Sequence, residues 1–166
     1  MNLKNLITDI PDFPKPGIIF KDISPLLKSS EALEFISQNL FPKDIISGID
    51  YFAGVESRGF ILAAHLAGAH NKGFIPVRKA GKLPPPVFAE AYALEYGNAV
   101  VEVNPGKGKV LVVDDVLATG GTLAAALNVC TKAGYDVVDA GVLIDLKFLN
   151  KFRFKGNLIH SLVQYE

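Results

Sequence analysis

The sequence predicts an α/β fold in which a central parallel sheet is flanked by helices. Strand-like apolar runs alternate along the chain with segments of helical character. Residues 110–113 are aliphatic throughout, as in a strand that is buried on both faces. With 166 residues and 49% hydrophobic content, the chain is large enough for one domain that buries about 70% of its unfolded surface. We therefore expect a single domain.

The first half of the chain contains the first predicted strands and helices. Its opening 30 residues include several prolines that break any long helix, so we expect a packed irregular segment there. Residues 31–40 predict a helix. Residues 50–55 predict a strand that stops at a polar turn, residues 60–67 predict the helix after it, and residues 74–78 predict the next strand.

The second half repeats the pattern after an interruption. Two extended runs within residues 79–106 join at residues 96–98 and predict a β-hairpin, of the kind that opens for a substrate and then excludes water. Residues 110–114 predict a strand, residues 123–130 a helix and residues 137–144 another strand. No repeat or linker divides the chain.

Two neighbouring acids and a small glycine-containing turn follow the strand at residues 110–113. Asp114 and Asp115 are expected at its carboxyl end, which is where open α/β sheets bind ligands. After them, residues 118–122 supply hydroxyls and backbone N–H groups just before a helix, so this turn can hold a phosphate without a lysine. The simpler alternative is a helix capped by Thr119 or Thr122, but a cap does not need the paired acids.

The two acids require a partner, because carboxylates close to a phosphate are electrostatically unfavourable. A ribose 2′,3′-diol offers two hydroxyl donors at a suitable spacing, and Mg²⁺ bound through hydroxyls, water and a second phosphate would offset the remaining charge. The motif is neither a Walker A loop nor a dinucleotide-binding fingerprint. The pattern therefore favours a ribose 5-phosphate ligand.

A second loop, at residues 56–59, also lies between a predicted strand and a predicted helix. Its backbone N–H groups could bind a second anion beside the first. Cationic side chains occur in this loop and after the next strand, namely Arg58, Arg78, Lys79 and Lys82. A solvated charged surface is the alternative for any one of them.

Composition and charge exclude several classes of function. Lys and Arg together number 17, and so do Asp and Glu, which leaves no general attraction to nucleic acid or anionic lipid. Cys130 is the single cysteine and is expected in the core. The three histidines lack metal-ligand spacing, and no apolar run approaches 18 residues. We expect a cytoplasmic protein with no membrane or nucleic-acid partner and no metal site built from its own side chains.

All thirteen positions of residues 110–122 agree with the phosphoribosyl pyrophosphate motif of type I phosphoribosyltransferases, which the chain therefore resembles. Further segments agree in the family's order, and the chain is most similar to the adenine phosphoribosyltransferases; these segments are residues 13–25, 56–60, 77–84, 94–97 and 161–165. The resemblance implies one type I phosphoribosyltransferase domain over residues 1–166. Within it, residues 1–30 would form a hood that recognises the base, and residues 79–106 a flexible hairpin flap.

The resemblance also implies an activity in purine salvage. The phosphoribosyl group of phosphoribosyl pyrophosphate would move to N9 of adenine, giving AMP and pyrophosphate. Mg²⁺ would be held mainly by the pyrophosphate, the ribose hydroxyls and water, and the protein would be a homodimer. Two alternatives stay open: a phosphoribosyltransferase for hypoxanthine, xanthine or guanine, and a non-catalytic regulator that senses phosphoribosyl pyrophosphate. The regulator would be expected to carry a DNA-binding module, which is not evident here.

Residue roles follow from the same resemblance. Backbone groups of Ile19 and Lys21 would pair with the edge of the base, and Phe20 and Leu146 would enclose its ring. The residues implied in catalysis are Glu95, which would exchange a proton at N7 of the base, with Arg58, Asp114 and Asp115. Those implied in substrate binding are Ile19, Phe20, Lys21, Glu56, Ser57, Arg58, Arg78, Lys79, Lys82, Tyr96, Asp114, Asp115, Ala118, Thr119, Gly120, Gly121, Thr122 and Leu146.

Two departures from the family pattern concern the flap. Pro85-Pro86 stands where the family usually has Gly-Pro, which predicts a stiffer hinge with polyproline geometry. The segment between the flap and the strand at residues 110–114 is also shorter than usual. Both departures bear on flap motion more than on the fold or on ground-state binding.

Overall fold

The computed structural model describes residues 1–94 and 97–166, and a seven-stranded sheet forms its centre. The strands are β1 Thr8–Pro11, β2 Ile19–Asp22, β3 Tyr51–Val55, β4 Gly73–Lys79, β5 Phe88–Ala93, β6 Asn98–Val103, β7 Lys109–Leu117, β8 Asp136–Leu146 and β9 His160–Tyr165. The α-helices of the described residues are α1 Ser24–Leu27, α2 Ser30–Asn39, α3 Lys43–Ser47, α4 Arg58–Ala69 and α5 Gly121–Lys132. Short 3-10 helices cover Leu3–Leu6 and Lys147–Leu149.

The main sheet is mostly parallel, as predicted. Its strand order is β5-β6-β4-β3-β7-β8-β9. The neighbouring pairs β4-β3, β3-β7, β7-β8 and β8-β9 are parallel. β6 pairs antiparallel with β4 and with β5. The predicted hairpin is therefore formed by β5 and β6, and it extends one edge of the sheet.

Helices cover both faces of the sheet, which explains the continuous apolar run in β7. Leu111 and Val113 point into one core cluster with residues of α2 and α4. Val110 and Val112 point into a second cluster with residues of α5. Cys130 belongs to this second cluster and is fully buried, in agreement with the prediction. Because alternate side chains of β7 enter different cores, residues 110–113 are apolar on both faces of the strand.

The expectation of an irregular segment at residues 1–30 was wrong in part. β1 and β2 pair there as a two-stranded antiparallel hairpin. The prolines lie where they do not interrupt this ladder: Pro11 ends β1, and the turn between the strands is closed by the Gly17 N–H, which donates to Asp12 Oδ1 at 2.8 Å. A proline-rich stretch therefore still forms a hairpin.

The predicted end of the strand at residue 114 was also wrong. β7 continues to Leu117, since Asp114, Val116 and Leu117 keep pairing with β8. Both acids consequently lie within the strand, with 8% and 7% of their surfaces exposed. β9 was not predicted as a strand, although it pairs in parallel with β8 along its length. Among the described residues, no helix is both long enough and apolar enough to cross a membrane.

Candidate active site

Asp114 and Asp115 occupy the carboxyl-terminal part of the central strand β7, and burial dominates their chemistry. The N–H of Asp115 donates to Asp114 Oδ1 at 2.8 Å. Burial, followed by repulsion from Asp115, raises the pKa of Asp114 well above its ordinary value. A ligand that brings hydroxyl donors to this pair would favour its charged form, because hydrogen bonds to a carboxylate stabilise the anion.

Arg58 is the cation nearest to these acids, but it leaves one acceptor unsatisfied. Its Nε lies 2.5 Å from Asp115 Oδ2, at ion-pair distance. The N–H does not point along this line, and Oδ2 accepts no hydrogen bond from the described residues although it is fully buried. The contact is therefore an ion pair without a hydrogen bond. A buried oxygen in this state is costly, and a donor from a ligand would relieve the cost.

Residues 118–122, here called the phosphate loop after the role that the sequence predicts for them, lead from β7 into α5. Gly120 has φ 96°, a left-handed conformation that favours glycine, and an added Cβ would lie 2.6 Å from Phe152. The first helical hydrogen bond runs from the Ala124 N–H to the Gly120 carbonyl. No side chain caps α5, so the simple capping alternative is wrong. The N–H groups of the first turn are left for an anion.

Two cavities meet at the phosphate loop. A small one of about 90 Å³ is lined by Asp114, Thr119 and their neighbours in residues 116–123. A larger one of about 630 Å³, here called the base cavity after the ligand proposed below, lies between the β1-β2 hairpin, the hairpin β5-β6, the phosphate loop and the end of β8. Its lining residues are Gly17, Ile18, Ile19, Lys21, Tyr92, Ala93, Leu94, Ala118, Thr119, Gly121, Thr122, Leu146, Phe148 and Leu149.

The base cavity has an apolar entrance. Ile19, Leu94 and Phe148 line it and are 57%, 50% and 62% exposed. Large apolar side chains clustered around a cavity that has few polar groups are typical of sites for flat organic ligands. A purine base has this character.

Ile19 and Lys21 of β2 line the base cavity. Ile19 lies opposite Pro11, which has no N–H to donate, and Lys21 lies opposite Asp9. The carbonyl of Lys21 accepts a hydrogen bond from Arg58 Nη1 at 3.0 Å instead of from β1. Alternate residues of a strand direct their backbone groups to the same side, so those of Ile19 and Lys21 point away from β1. We call this the base-reading edge, after the role proposed for it below.

The second anion loop, residues 56–59, connects β3 to α4 and gathers two cations. Arg78 Nε and Lys82 Nζ donate to the two carboxylate oxygens of Glu56 at 2.8 and 2.7 Å. Burial acts to raise the pKa of Glu56, but the hydrogen bonds from Lys82 and Arg78 outweigh it and lower the pKa below its ordinary value. Glu56 therefore stays ionised and holds both cations beside the loop.

Close packing brings the two anion loops together. An added Cβ at Gly59 would lie 2.9 Å from Asp114 Oδ1 and 3.0 Å from the Val113 carbonyl, so only glycine fits at this position. α4 begins at Arg58 without a side-chain cap, as α5 does at Gly121. Two uncapped helix N-termini consequently flank the buried acids.

Known proteins of one family match this chain. A family model described as a phosphoribosyl transferase domain matches residues 22–148. The chain is 61% identical over 165 residues to an adenine phosphoribosyltransferase of Bdellovibrio bacteriovorus, a match that covers 99% of this chain and 100% of that protein. The chain belongs to the adenine phosphoribosyltransferase family.

Solved members of the adenine phosphoribosyltransferase family share the fold. The enzyme of Rhodothermus marinus superposes with a TM-score of 0.85 at 41% identity, covering 98% of this chain and 96% of that one. The enzyme of Saccharomyces cerevisiae superposes with a TM-score of 0.82 at 33% identity, covering 97% and 95%. The latter was solved in complex with adenine and D-2,5-dideoxy-2,5-imino-altritol 1,6-bisphosphate. The resemblance deduced from the motifs is thus confirmed.

The structure brings most of the residues that family resemblance implied into one region. Ile19, Lys21 and Leu146 line the base cavity, together with four of the five phosphate-loop residues. Phe20 does not line it, and the Arg58 guanidinium lies over the Phe20 ring at 4.5 Å from the centroid. Lys79 is exposed at the end of β4. Glu95 and Tyr96, expected in the flap, lie outside the described residues.

Other cavity residues were missed from the sequence. Phe148 and Leu149 follow Leu146 and are exposed, but neighbouring apolar residues in a sequence do not show which of them face a ligand. Tyr92 and Leu94 come from β5 and the hairpin end, whose position depends on how the hairpin folds back over α5. The tertiary structure is needed to bring these residues to the cavity, and the sequence pattern alone does not show it.

Proposed function

We propose that this protein transfers the phosphoribosyl group of phosphoribosyl pyrophosphate to N9 of adenine, giving AMP and pyrophosphate in purine salvage. One observation carries the proposal. A single cavity of about 630 Å³ extends from the uncapped phosphate loop to the base-reading edge, so that the two ends of a nucleoside monophosphate each meet complementary groups. The yeast relative was solved with adenine bound, which supports adenine as the base.

Phosphoribosyl pyrophosphate would be held by its two ends and its diol. The 5′-phosphate accepts hydrogen bonds from backbone N–H groups at the start of α5, where the helix dipole favours an anion. The ribose hydroxyls donate to Asp114 and Asp115, and Asp115 Oδ2 has no hydrogen-bond donor among the described residues. The diol therefore supplies what the buried pair lacks.

Arg58 would change partners when this substrate binds. It sits against Asp115 Oδ2, the Lys21 carbonyl and the Phe20 ring. The ribose diol competes for Asp115, and the pyrophosphate offers the guanidinium a stronger bidentate partner. Movement of Arg58 toward the pyrophosphate also uncovers the Phe20 ring, which then can stack on the base opposite Leu146.

Adenine would be selected by backbone groups. A carbonyl of the base-reading edge accepts from the six-amino group of adenine, whereas hypoxanthine presents a carbonyl at the same position. Two facing acceptors leave buried polar groups unpaired, at a cost of about 1–3 kcal/mol for each. Sites built to pair with one hydrogen-bonding group reject its replacement strongly.

Catalysis would rest on charge and position. A transition state resembling an oxocarbenium ion forms as pyrophosphate leaves with inversion at the anomeric carbon, and Arg58, Arg78 and Lys82 stabilise the leaving group. The backbone N–H of Ser57 and the ammonium group of Lys79 would also donate hydrogen bonds to the pyrophosphate. Glu95 would exchange a proton at N7 of the base, and Tyr96 beside it would help the flap of residues 79–106 cover the substrates.

The donors of this site suit a magnesium ion that is held through the substrate. Its direct ligands would be the pyrophosphate, the ribose hydroxyls and water, while Asp114 and Asp115 bind the same hydroxyls from the other side. When bound, Mg²⁺ neutralises part of the pyrophosphate charge. The described residues contain no group of three or more His, Cys, Asp and Glu side chains arranged to hold a metal.

We also propose that the protein acts as a homodimer in the cytoplasm. Exposed apolar side chains away from the base cavity, such as Ile61 on α4 and Phe74 on β4, provide surface that a second copy would cover. Burial raises the pKa of the Cys130 thiol to about 12, so the only cysteine stays protonated and unreactive.

The proposed function is tested by comparing four bases. The protein is incubated with phosphoribosyl pyrophosphate, Mg²⁺ and either adenine, guanine, hypoxanthine or xanthine, and the nucleotide product is quantified by chromatography. We expect AMP from adenine and at least about 100-fold lower kcat/KM with the six-oxo bases. Turnover of hypoxanthine or xanthine without turnover of adenine would overturn the base assignment. Binding of phosphoribosyl pyrophosphate without turnover of any base would indicate a regulator.

A further inference from the structure

The side chain of Lys21 is buried to an unusual degree for a lysine. Only 9% of it is exposed, whereas lysine side chains are almost never buried unless they are paired. Its backbone forms part of the base-reading edge. The same residue thus has a backbone placed toward the base cavity and a side chain held by neighbouring groups.

Two groups from distant parts of the chain hold this ammonium group. Lys21 Nζ donates to Asp9 Oδ1 at 2.7 Å, and Asp9 lies directly opposite Lys21 in the β1-β2 ladder. The same Nζ lies 3.8 Å from the ring centroid of Tyr165 on β9. Tyr165 pairs with Leu146 in the β8-β9 ladder. The Lys21 anchor, which consists of Lys21, Asp9 and Tyr165, therefore connects the hairpin to the strand beside the wall of the base cavity.

An isolated two-stranded hairpin is only marginally stable in water, so β1-β2 needs an attachment to the domain to keep its position. The Lys21 anchor provides one attachment through a charge-assisted hydrogen bond and a cation–π contact. The Lys21 carbonyl provides another, through Arg58. When Arg58 turns toward the pyrophosphate, the anchor is the attachment that remains at Lys21.

We propose that Asp9 and Tyr165 are positioning residues for the base: they hold Lys21 so that the base-reading edge stays aligned with Leu146. The inference rests on the proposed function, because it assigns a role within the same site. Neither side chain lines the base cavity, and both act through Lys21. Their removal should weaken the binding of adenine selectively and leave the phosphate loop and the buried acids unaffected.

The test uses steady-state kinetics with adenine and phosphoribosyl pyrophosphate varied separately. For Asp9→Asn and Tyr165→Leu we expect the KM for adenine to rise about fivefold, the change that corresponds to roughly 1 kcal/mol for one ion pair or cation–π contact. The KM for phosphoribosyl pyrophosphate and kcat should change less than about twofold. Asp9 is 54% exposed on its side chain, so its replacement should not unfold the protein.

Two further variants serve as a rescue and a control. Lys21→Met should raise the KM for adenine as much as Asp9→Asn and Tyr165→Leu do in combination. Lys21→Arg should keep the KM for adenine near the wild-type value, because arginine keeps a cation for both partners. Lys4 also lies over the Tyr165 ring, at 4.9 Å from its centroid. Lys4 belongs to the 3-10 helix Leu3–Leu6 and not to β1 or β2. Lys4→Met therefore removes a similar contact on the same ring and should leave all kinetic constants unchanged.

The possible outcomes separate the two proposals. If the wild-type protein makes no AMP, the proposed function fails and this inference fails with it. If the wild-type protein makes AMP but Asp9→Asn and Tyr165→Leu both keep the wild-type KM for adenine, only the inference is contradicted. Equal increases in both KM values would indicate a merely structural role and would contradict it as well.

Discussion

Asp114 illustrates, at the scale of one residue, how a binding site opposes stability. Its carboxyl group is buried beside a second acid, and both effects raise its pKa. Such a group costs free energy in the ligand-free protein as soon as it must ionise. In the proposed function the diol of the substrate would donate hydrogen bonds to both acids, so stability without ligand is lower than the packing alone would allow.

Replacing both acids should therefore separate activity from stability. We expect Asp114→Asn/Asp115→Asn to lower kcat/KM by about 100-fold or more, since two hydrogen bonds to charged groups are weakened. The fold should persist, as judged by circular dichroism. Near-normal activity of this double variant would refute the role of the acids in ribose binding.

The single variant Asp114→Asn tests the pKa directly. Because the folded-state pKa is raised, the unfolded chain ionises first as the pH rises above the ordinary value of 3.8, and wild-type stability falls from there up to the folded pKa. The melting temperature of Asp114→Asn should exceed that of the wild type by a difference that is small near pH 4 and grows toward neutral pH. About 2–4 °C is expected for each kcal/mol relieved. A difference that does not change with pH would contradict the assignment.

The pKa of Glu56 is lowered, in contrast to that of Asp114. Its lowered pKa means that the carboxylate stabilises the fold above the ordinary value of 4.5, and that this contribution is lost as the pH falls through the folded pKa. We expect Glu56→Gln to raise the KM for phosphoribosyl pyrophosphate about fivefold, because Arg78 and Lys82 lose their common partner. Glu34→Gln, on the exposed face of α2, is the control and should change nothing. An unchanged KM in Glu56→Gln would show that the two cations need no carboxylate to hold them.

At the scale of elements, the start of α5 is the most constrained feature. Gly120→Ala would place a Cβ in a left-handed conformation and against Phe152, and should cost about 2 kcal/mol of unfolding free energy. It should also weaken the binding of phosphoribosyl pyrophosphate measured by calorimetry. Gly68→Ala in α4 is the matched control: nothing lies within 4 Å of its added Cβ, and it should stabilise the protein by about 0.5–1 kcal/mol. Equal effects of the two changes would contradict this account.

The hairpin β5-β6 is attached at its base. Asn104 Nδ2 donates to the carbonyls of Pro84 and Pro86 at 2.8 and 2.9 Å, so the proline pair and the end of β6 are held together. The stiff hinge expected from Pro85-Pro86 stays a prediction. Asn104→Ala should increase amide hydrogen exchange in β5 and β6 at least about threefold and leave β7 unchanged. Unchanged exchange in the hairpin would place the stiffness in the prolines alone.

The elements also show where sequence reasoning succeeds. Strands β3, β4 and β8 and helices α2, α4 and α5 were predicted to within a few residues, because each has an apolar pattern that its own segment reveals. β1 and β2 were missed, since prolines near their ends obscure a ladder that depends on the pairing partner. β9 was missed because its pairing with β8 is a long-range contact.

At the scale of the whole molecule, the site could be predicted to the extent that it is local. The acids and the phosphate loop follow one another along the chain, so one motif reveals them. The walls of the base cavity come from four separated segments, and only the family resemblance linked Ile19 and Leu146 before the fold was known. The contact between Arg58 and Asp115 could not be predicted, because it depends on how α4 packs against β7.

The most direct test of the account is a crystal structure of the protein with AMP bound. We predict that the phosphate lies within hydrogen-bond distance of the N–H groups at the start of α5, and the ribose hydroxyls within that distance of Asp114 and Asp115. The adenine ring should lie in the base cavity with its edge against Ile19 and Lys21. AMP bound elsewhere, or bound with its hydroxyls away from both acids, would contradict the account.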